Sequence, residues 1–247
     1  MKTSRTSGLV AALLLTLGSI GSSASAQTSV VDFSNGTQGW HNPVNSWIDS
    51  SLGNAAPAYR TQMIDTFGLT WTNTNKAVLE AFAPNKTVTL GLDFQALSIV
   101  YLGNEVSRHV VVELRDYDNP SGNYPWTSVW FDMGTVNAAT QGWKHLSVTI
   151  DNTSATTLPT GWGGFGDENA NAEPILPAGR TFADVLANAD SIVFTTFVPG
   201  NYYGYTSYDI AIDNISISSV SAVPEPSTLA LGIAGLGLLA CRVRRRR

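Results

Sequence analysis

The sequence predicts an all-β protein, an antiparallel β-sandwich with one short helix, and three observations carry that prediction. Between Ser29 and Ser219 the chain is built from short apolar or alternating runs rich in Val, Ile, Thr, Phe and Tyr. Clusters of Asn, Gly, Pro and Ser separate these runs, which is the punctuation of a sheet protein. A single segment, Thr181 to Ala189, has helical spacing.

Taken in order, the predicted strands are Val30 to Phe33, Ala77 to Ala83, Val88 to Phe94, His109 to Asp116, Ser128 to Met133, Lys144 to Ile150, Ser191 to Phe197 and Ile210 to Ser218. In the last of them Ile210, Ile212, Ile215 and Ile217 alternate but slip by one residue around Asp213-Asn214, which predicts a bulge. In the helix Phe182, Val185, Leu186 and Ala189 share a face, and Thr181 with Asp184 makes a capping-box-like start. It is expected to pack across one end of the sandwich. Trp40 and Trp143 are assigned to the core.

Composition bounds the partners. The 247 residues are 43% hydrophobic and 13% charged, enough for one domain of about 200 residues with an unusually uncharged surface. The formal charge of −5 conceals an asymmetry. Lys2 and Arg5 precede the first apolar run, while Arg242 and Arg244 to Arg247 close the chain. From Gln27 to Ala222 there are seven Lys and Arg against eighteen Asp and Glu, a net of −11. Nucleic acid is excluded as a partner, because phosphate binding needs clustered cations. The lone cysteine, Cys241, lies in the C-terminal apolar stretch, so no intrachain disulfide forms and the domain is held by packing or by metal.

The two ends divide the chain into a signal peptide (1–26), a β-sandwich ectodomain (27–222) and a C-terminal tail (223–247). Lys2 and Arg5, the apolar run Leu9 to Leu17 and the small residues ending in Ala24-Ser25-Ala26 have the order of a secretory signal helix, cut by signal peptidase before Gln27. The run is far short of the ~20 apolar residues a permanent span needs. The tail reads Val223-Pro224-Glu225-Pro226, then an apolar helix over about 229–241, then Arg242-Val243-Arg244-Arg245-Arg246-Arg247. Pro224 and Pro226 isolate the tail from the folded domain. The arginines resist translocation, acting as a cytoplasmic stop that leaves the domain outside.

This tripartite tail resembles the PEP-CTERM sorting signal, whose members are thought to be processed by an exosortase. The resemblance implies cleavage near Pro224, Glu225 and Pro226 and loss of the membrane helix and its arginines. Release or attachment at the cell surface would follow, often alongside extracellular polysaccharide. The alternative is a plain membrane anchor. The shortness of the segment and the low helix propensity of Gly232, Gly235 and Gly237 favour processing, so the membrane contact is expected to be transient.

The opening Val31-Asp32-Phe33-Ser34-Asn35-Gly36 with Gly39-Trp40, the stretch Gly142-Trp143-Lys144-His145-Leu146, and the closing Tyr208-Asp209-Ile210-Ala211-Ile212-Asp213-Asn214-Ile215 are similar to galactose-binding-like and carbohydrate-binding modules. The stretch Asp184-Val185-Leu186-Ala187-Asn188 before Ser191-Ile192-Val193 is similar to laminin-B-type ectodomains. Both resemblances imply a jelly roll. The first also implies a structural calcium ion tying the first strand to the last, with Asp213 and Asp32 as ligands, although Ser34 stands where many relatives carry an acid. The other reading of Asp213 is an Asp that caps a bulge or turn. The acidic stretches Asp116 to Gly122 and Asp167 to Glu173 are read as turns before metal loops.

Aromatic residues crowd two regions. Flat rings stack on sugars while neighbouring Asn and Asp fix the hydroxyls, so the loop-borne Tyr124, Trp126, Tyr202, Tyr203 and Tyr205 are the candidate ligand-binding set. The alternative is that these rings cover the ends of the sandwich. Catalytic motifs are lacking: His41, His109 and His145 have no metal-ligand spacing, and no nucleophile elbow or phosphate loop is present. The sequence therefore points to a non-enzymatic, exported surface or matrix protein associated with extracellular polysaccharide. A purely structural surface component and a secreted glycan hydrolase are the alternatives.

Overall fold

The computed structural model describes residues 26–139 and 142–221. The signal segment before residue 26 and the tail, with Pro224, Glu225, Pro226, Arg242 and Arg244 to Arg247, lie outside the described residues. Among the described residues no helix is long and apolar enough to cross a membrane.

In chain order the elements are β1 (Ala26–Val31), β2 (Ser46–Asp49), β3 (Ala58–Thr66), β4 (Thr70–Asn73), α1 (Lys76–Leu79) with a 3-10 turn (Glu80–Phe82), β5 (Lys86–Tyr101), β6 (Asn104–Glu105) and β7 (Arg108–Asp116). There follow β8 (Thr127–Val136), β9 (Lys144–Ile150), β10 (Trp162–Phe165), β11 (Asp167–Glu168), β12 (Pro174–Ile175), α2 (Phe182–Ala187), β13 (Ser191–Thr195) and β14 (Thr206–Ser221). A seven-stranded sheet runs β2-β3-β14-β5-β6, with β1 added to β14 and β9 added to β5. A five-stranded sheet runs β10-β8-β7-β13-β4, and β11 with β12 forms a separate small hairpin. Every pairing is antiparallel.

Alternation builds the core. Leu90, Leu92 and Phe94 of β5 meet Val110, Val112 and Leu114 of β7, all buried between the sheets. Each such side chain contributes about 1.5–3 kcal/mol by leaving water. Trp40 is buried and stacks on Phe194, with centroids 5.3 Å apart. The helix sits as the sequence predicts: Thr181 caps α2 in a full capping box with Asp184, and Phe182, Val185 and Leu186 are buried.

The seven-stranded sheet is organised around β14, 16 residues long and flanked by β5 on one side throughout. On the other side β14 pairs first with β3, as far as Ile212 opposite Tyr59, and then with β1, from Ile215 opposite Val31. The predicted bulge falls where these partners change over. The register against β5 shifts between Asp213 and Ser216, and Asn214 has φ +47°.

Three expectations are corrected. Ala77 to Ala83 is helical, because the Asn75 side chain accepts the Ala77 amide as an N-cap and Ala81 and Phe82 turn inward. Strands β2, β3 and β4 lacked the apolar signature; Arg60 and Gln62 of β3 hydrogen-bond Asp209 of β14 across the outer sheet surface. Trp143 is only half-buried and lies outside the core. The stretches Asp116 to Gly122 and Asp167 to Glu173 do fold as turns: Asp116 accepts the Asp118 amide, and Asn169 closes the β11–β12 hairpin by accepting the Asn171 and Glu173 amides.

Candidate functional site

On β7 the inward Val112 and Leu114 leave Glu113 and Arg115 facing outward. Register places Trp130 and Val193 beside Glu113, and Ser128 and Ser191 beside Arg115. Phe165 of β10 lies opposite Ser128, and Gly163 opposite Trp130. Gly163 admits the indole, because a Cβ there would stand 2.3 Å from the Trp130 ring. Phe67, Thr70 and the segment Phe197 to Tyr203 complete the lining of a cleft over this face. The open cleft so lined has a volume of ≈ 640 Å³.

Glu113 organises the floor. Its Oε1 accepts the Trp126 Nε1–H at 2.9 Å and the Ser128 hydroxyl at 2.6 Å. Its Oε2 accepts Arg115 Nε–H at 2.8 Å and Nη2–H at 2.6 Å. Arg115 in turn lies over the Trp126 ring, with its guanidinium carbon 4.0 Å from the centroid. The carboxylate thus fixes both the edge of the indole and the cation stacked on it.

The aromatic candidates, distant in sequence, are brought together. Trp126, Tyr202 and Tyr203 line the cleft itself. Tyr124 meets the lining residue Phe165 edge-on at 5.2 Å, and Tyr205 stacks on the lining residue Phe67 at 4.3 Å. Tyr202 is 99% exposed at the rim. Tyr203 lies under the buried Arg108, 4.6 Å from guanidinium carbon to centroid. Burial pushes its hydroxyl pKa up while the Arg108 charge pulls it down, and the net is upward. Glu113, Arg115, Phe67, Phe165 and Phe197 belong to the site without having been singled out in the sequence. The signal available for the first two was their odd-position alternation against Val112 and Leu114.

The proposed calcium ligands lie elsewhere, on the seven-stranded sheet. Asp213 is fully buried; its Oδ2 accepts the Asn54 amide at 2.8 Å and its Oδ1 the Asn214 amide at 2.7 Å. Burial pushes its pKa up, and the nearby Asp93 and Asp32 charges add to the rise. Asp93, opposite it in register, accepts from the Asn54 and Asn214 side-chain amides and from His145 Nδ1. Asp32 is turned to Ser34, accepting its amide at 3.1 Å and its hydroxyl at 2.7 Å. Hard carboxylate oxygens suit calcium. Among the described residues no group of three or more His, Cys, Asp or Glu side chains is arranged to hold a metal ion.

Residues 222–247 match the model of the PEP-CTERM protein-sorting motif. The chain ends in a PEP-CTERM sorting motif. Such a motif implies export and processing by an exosortase, with a surface or extracellular destination. The motif begins immediately after β14, whose last residue is Ser221. No curated protein matches the chain.

Among solved structures the fold is similar to carbohydrate-binding modules. The family 11 module of the cellulosomal cellulase Lic26A-Cel5E of Clostridium thermocellum is 13% identical, with 77% of this chain and 94% of that chain covered and a TM-score of 0.45. The family 11 module from the same organism in complex with a β-1,3-1,4-mixed-linked tetrasaccharide gives 13%, 77%, 94% and 0.43. A family 29 module from Piromyces equi gives 12%, 78%, 91% and 0.33.

Proposed function

We propose that this is an exosortase-sorted, non-enzymatic surface or extracellular protein that holds a polysaccharide chain in the aromatic cleft of a jelly-roll sandwich. The observation that carries the reading is the convergence of Trp126, Phe165, Tyr202 and Tyr203 on one cleft of ≈ 640 Å³. Sugar rings offer apolar faces that stack on aromatic side chains, and Asn201 and Thr70 supply hydrogen-bonding groups along the same walls. Export and sorting are implied by the PEP-CTERM motif, and the reading takes the apolar segment at about 229–241 as a transient membrane anchor until the cut.

The absence of turnover is part of the proposal. Glycoside hydrolysis uses two carboxylates flanking the scissile bond. Glu113 is the carboxylate among the described lining residues, and its two oxygens are taken up by Trp126, Ser128 and Arg115. A structural calcium ion beside Asp213 belongs to the same proposal; it is supported only by the buried Asp213 carboxylate and by the Asp93 and Asp32 charges that raise its pKa, and it takes no part in binding the glycan.

Affinity electrophoresis through gels carrying different polysaccharides tests the reading. Retardation by one polymer, weakened tenfold or more in Trp126→Ala or Tyr203→Ala, is the expected result; tenfold is about 1.4 kcal/mol. Unchanged mobility in every gel would leave a purely structural surface component. Turnover of a polymer would require a hydrolase instead.

A further inference from the structure

We propose that the cleft selects an uncharged glycan and rejects chains bearing carboxylate or sulfate groups, and that Glu113 sets this choice. The inference rests on the glycan-binding reading of the same cleft and names the ligand class within it.

The charges on the page lead there. Arg115 is the one cation among the described lining residues, and Glu113 is the one anion. They are joined by two hydrogen bonds, and the Glu113 side chain is only 4% exposed. The pair is therefore closed on itself, and an incoming anion meets a neutralised guanidinium backed by a buried carboxylate. Removing an anionic sugar from water is costly unless a free cation receives it, and none lines the cleft among the described residues.

The surroundings give no compensation. Arg108, which lies over the lining residue Tyr203, is buried and donates to Thr206, Tyr208 and the Ser107 carbonyl. Tyr124, packed on the lining residue Phe165, feels the charges of Glu168 and Asp167, two further acids. An uncharged sugar needs none of this. It needs ring faces and hydroxyl partners, and those the cleft has.

Glu113 is a specificity residue because it performs two tasks at once, holding the Trp126 edge and cancelling Arg115. Glu113→Gln keeps an oxygen for Trp126 and Ser128 but leaves the Arg115 charge uncompensated. The cleft then gains a receptor for anions without losing its aromatic walls.

The test uses the protein as exported, with matched polymers as probes: hydroxyethyl cellulose, dextran and a β-1,3-glucan, each beside its carboxymethyl derivative. Binding is read at 20 and 500 mM NaCl, because high salt screens the general repulsion from an acidic domain and leaves local discrimination. The expected result is binding of at least one uncharged polymer, equal within twofold at both salt concentrations, with its carboxymethyl form weaker by tenfold or more even at high salt. Glu113→Gln is expected to reduce that ratio to below threefold. A carboxymethyl polymer that binds the wild type as tightly as its parent, or more tightly and in a salt-dependent way, overturns the inference while leaving glycan binding intact. Failure of every polymer, charged or uncharged, overturns the glycan reading itself. Should Glu113→Gln fail to fold, the wild-type polymer pairs and salt series decide the ligand class without it.

Discussion

Phe67 and Tyr205 stack with their ring centroids 4.3 Å apart, which ties the turn between β3 and β4 to the segment that leads into β14. Phe67 lines the cleft and Tyr205 backs it. Removing the outer ring by Tyr205→Ala is expected to cost about 0.5–1.5 kcal/mol of stability and to weaken glycan binding severalfold, because Phe67 loses its support. Tyr205→Phe keeps the stack and is expected to behave as wild type in both respects. Urea unfolding and affinity electrophoresis read the two effects, and unchanged binding in Tyr205→Ala would remove the backing role.

Asp213, Asp93 and Asp32 give a second expected outcome. A raised carboxyl pKa in the folded state means that ionised Asp213 opposes folding at neutral pH, and that this opposition fades as pH falls through the folded value. A bound divalent cation offsets the same repulsion at pH 7. Calcium at a hundred times its Kd is then expected to stabilise by about 2.7 kcal/mol, seen as a rise in Tm that a chelator reverses. Asp213→Asn is expected to lose the calcium response. A wild-type Tm indifferent to both calcium and chelator would show that Asn54 and Asn214 alone hold the site together.

The remaining acids predict acid sensitivity. Burial works against ionisation of Asp93 and Asp209, but donors outweigh it, Asn54, Asn214 and His145 at the first and Arg60 with Gln62 at the second. Both pKa values are held below the ordinary carboxylate range. An acid depressed on folding lends stability above its unfolded pKa of about 3.9 and loses it as pH falls through the folded value. The urea midpoint is therefore expected to hold between pH 7 and pH 5 and to drop below about pH 4. Asp209→Asn is expected to lower stability at pH 7 and flatten the acid limb. A midpoint still unchanged at pH 3 would mean that these networks contribute nothing net.

The sequence was legible where a strand buries one face in the core and opens the other to water. Lys144 to Ile150 alternates for that reason; it and His109 to Asp116 are strands within one residue, and Val88 to Phe94 lies inside the longer β5. It was illegible where the outer surface of a sheet is itself organised. β3 carries Arg60 and Gln62 toward Asp209, so its pattern does not look apolar, and β5 continues past Phe94 to Tyr101 through residues of mixed exposure. Ala77 to Ala83 misleads in the opposite sense, since its apolar density reflects packing of Ala81 and Phe82 beneath a short helix.

For the cleft, residue type was enough to mark Trp126, Tyr202 and Tyr203. Their convergence depends on the five-stranded sheet bringing β8 beside β7 and β10 beside β8, a long-range fact that no local pattern encodes. The Glu113 and Arg115 pair was hidden for a similar reason. Two opposite charges at alternate positions of a strand look like ordinary solvated surface until a loop is known to face them.

The placement of β14 has a consequence for how the chain becomes a protein. This strand lies in the interior of the seven-stranded sheet, holding β1, β3 and β5 by its two edges, yet among the described residues it is the final strand in chain order. A nascent polypeptide threading a membrane from its N-terminus delivers β1 first, and β1 has no partner until Ser216 to Val220 follow. The β2–β3 pair and the β5–β6–β9 set can form earlier, but they are joined into one sheet only by β14, and such non-local pairing slows folding. The domain is completed only when the segment adjoining the sorting motif has itself crossed. A molecule truncated during synthesis thus lacks at once the keystone of its fold and the motif that directs its sorting.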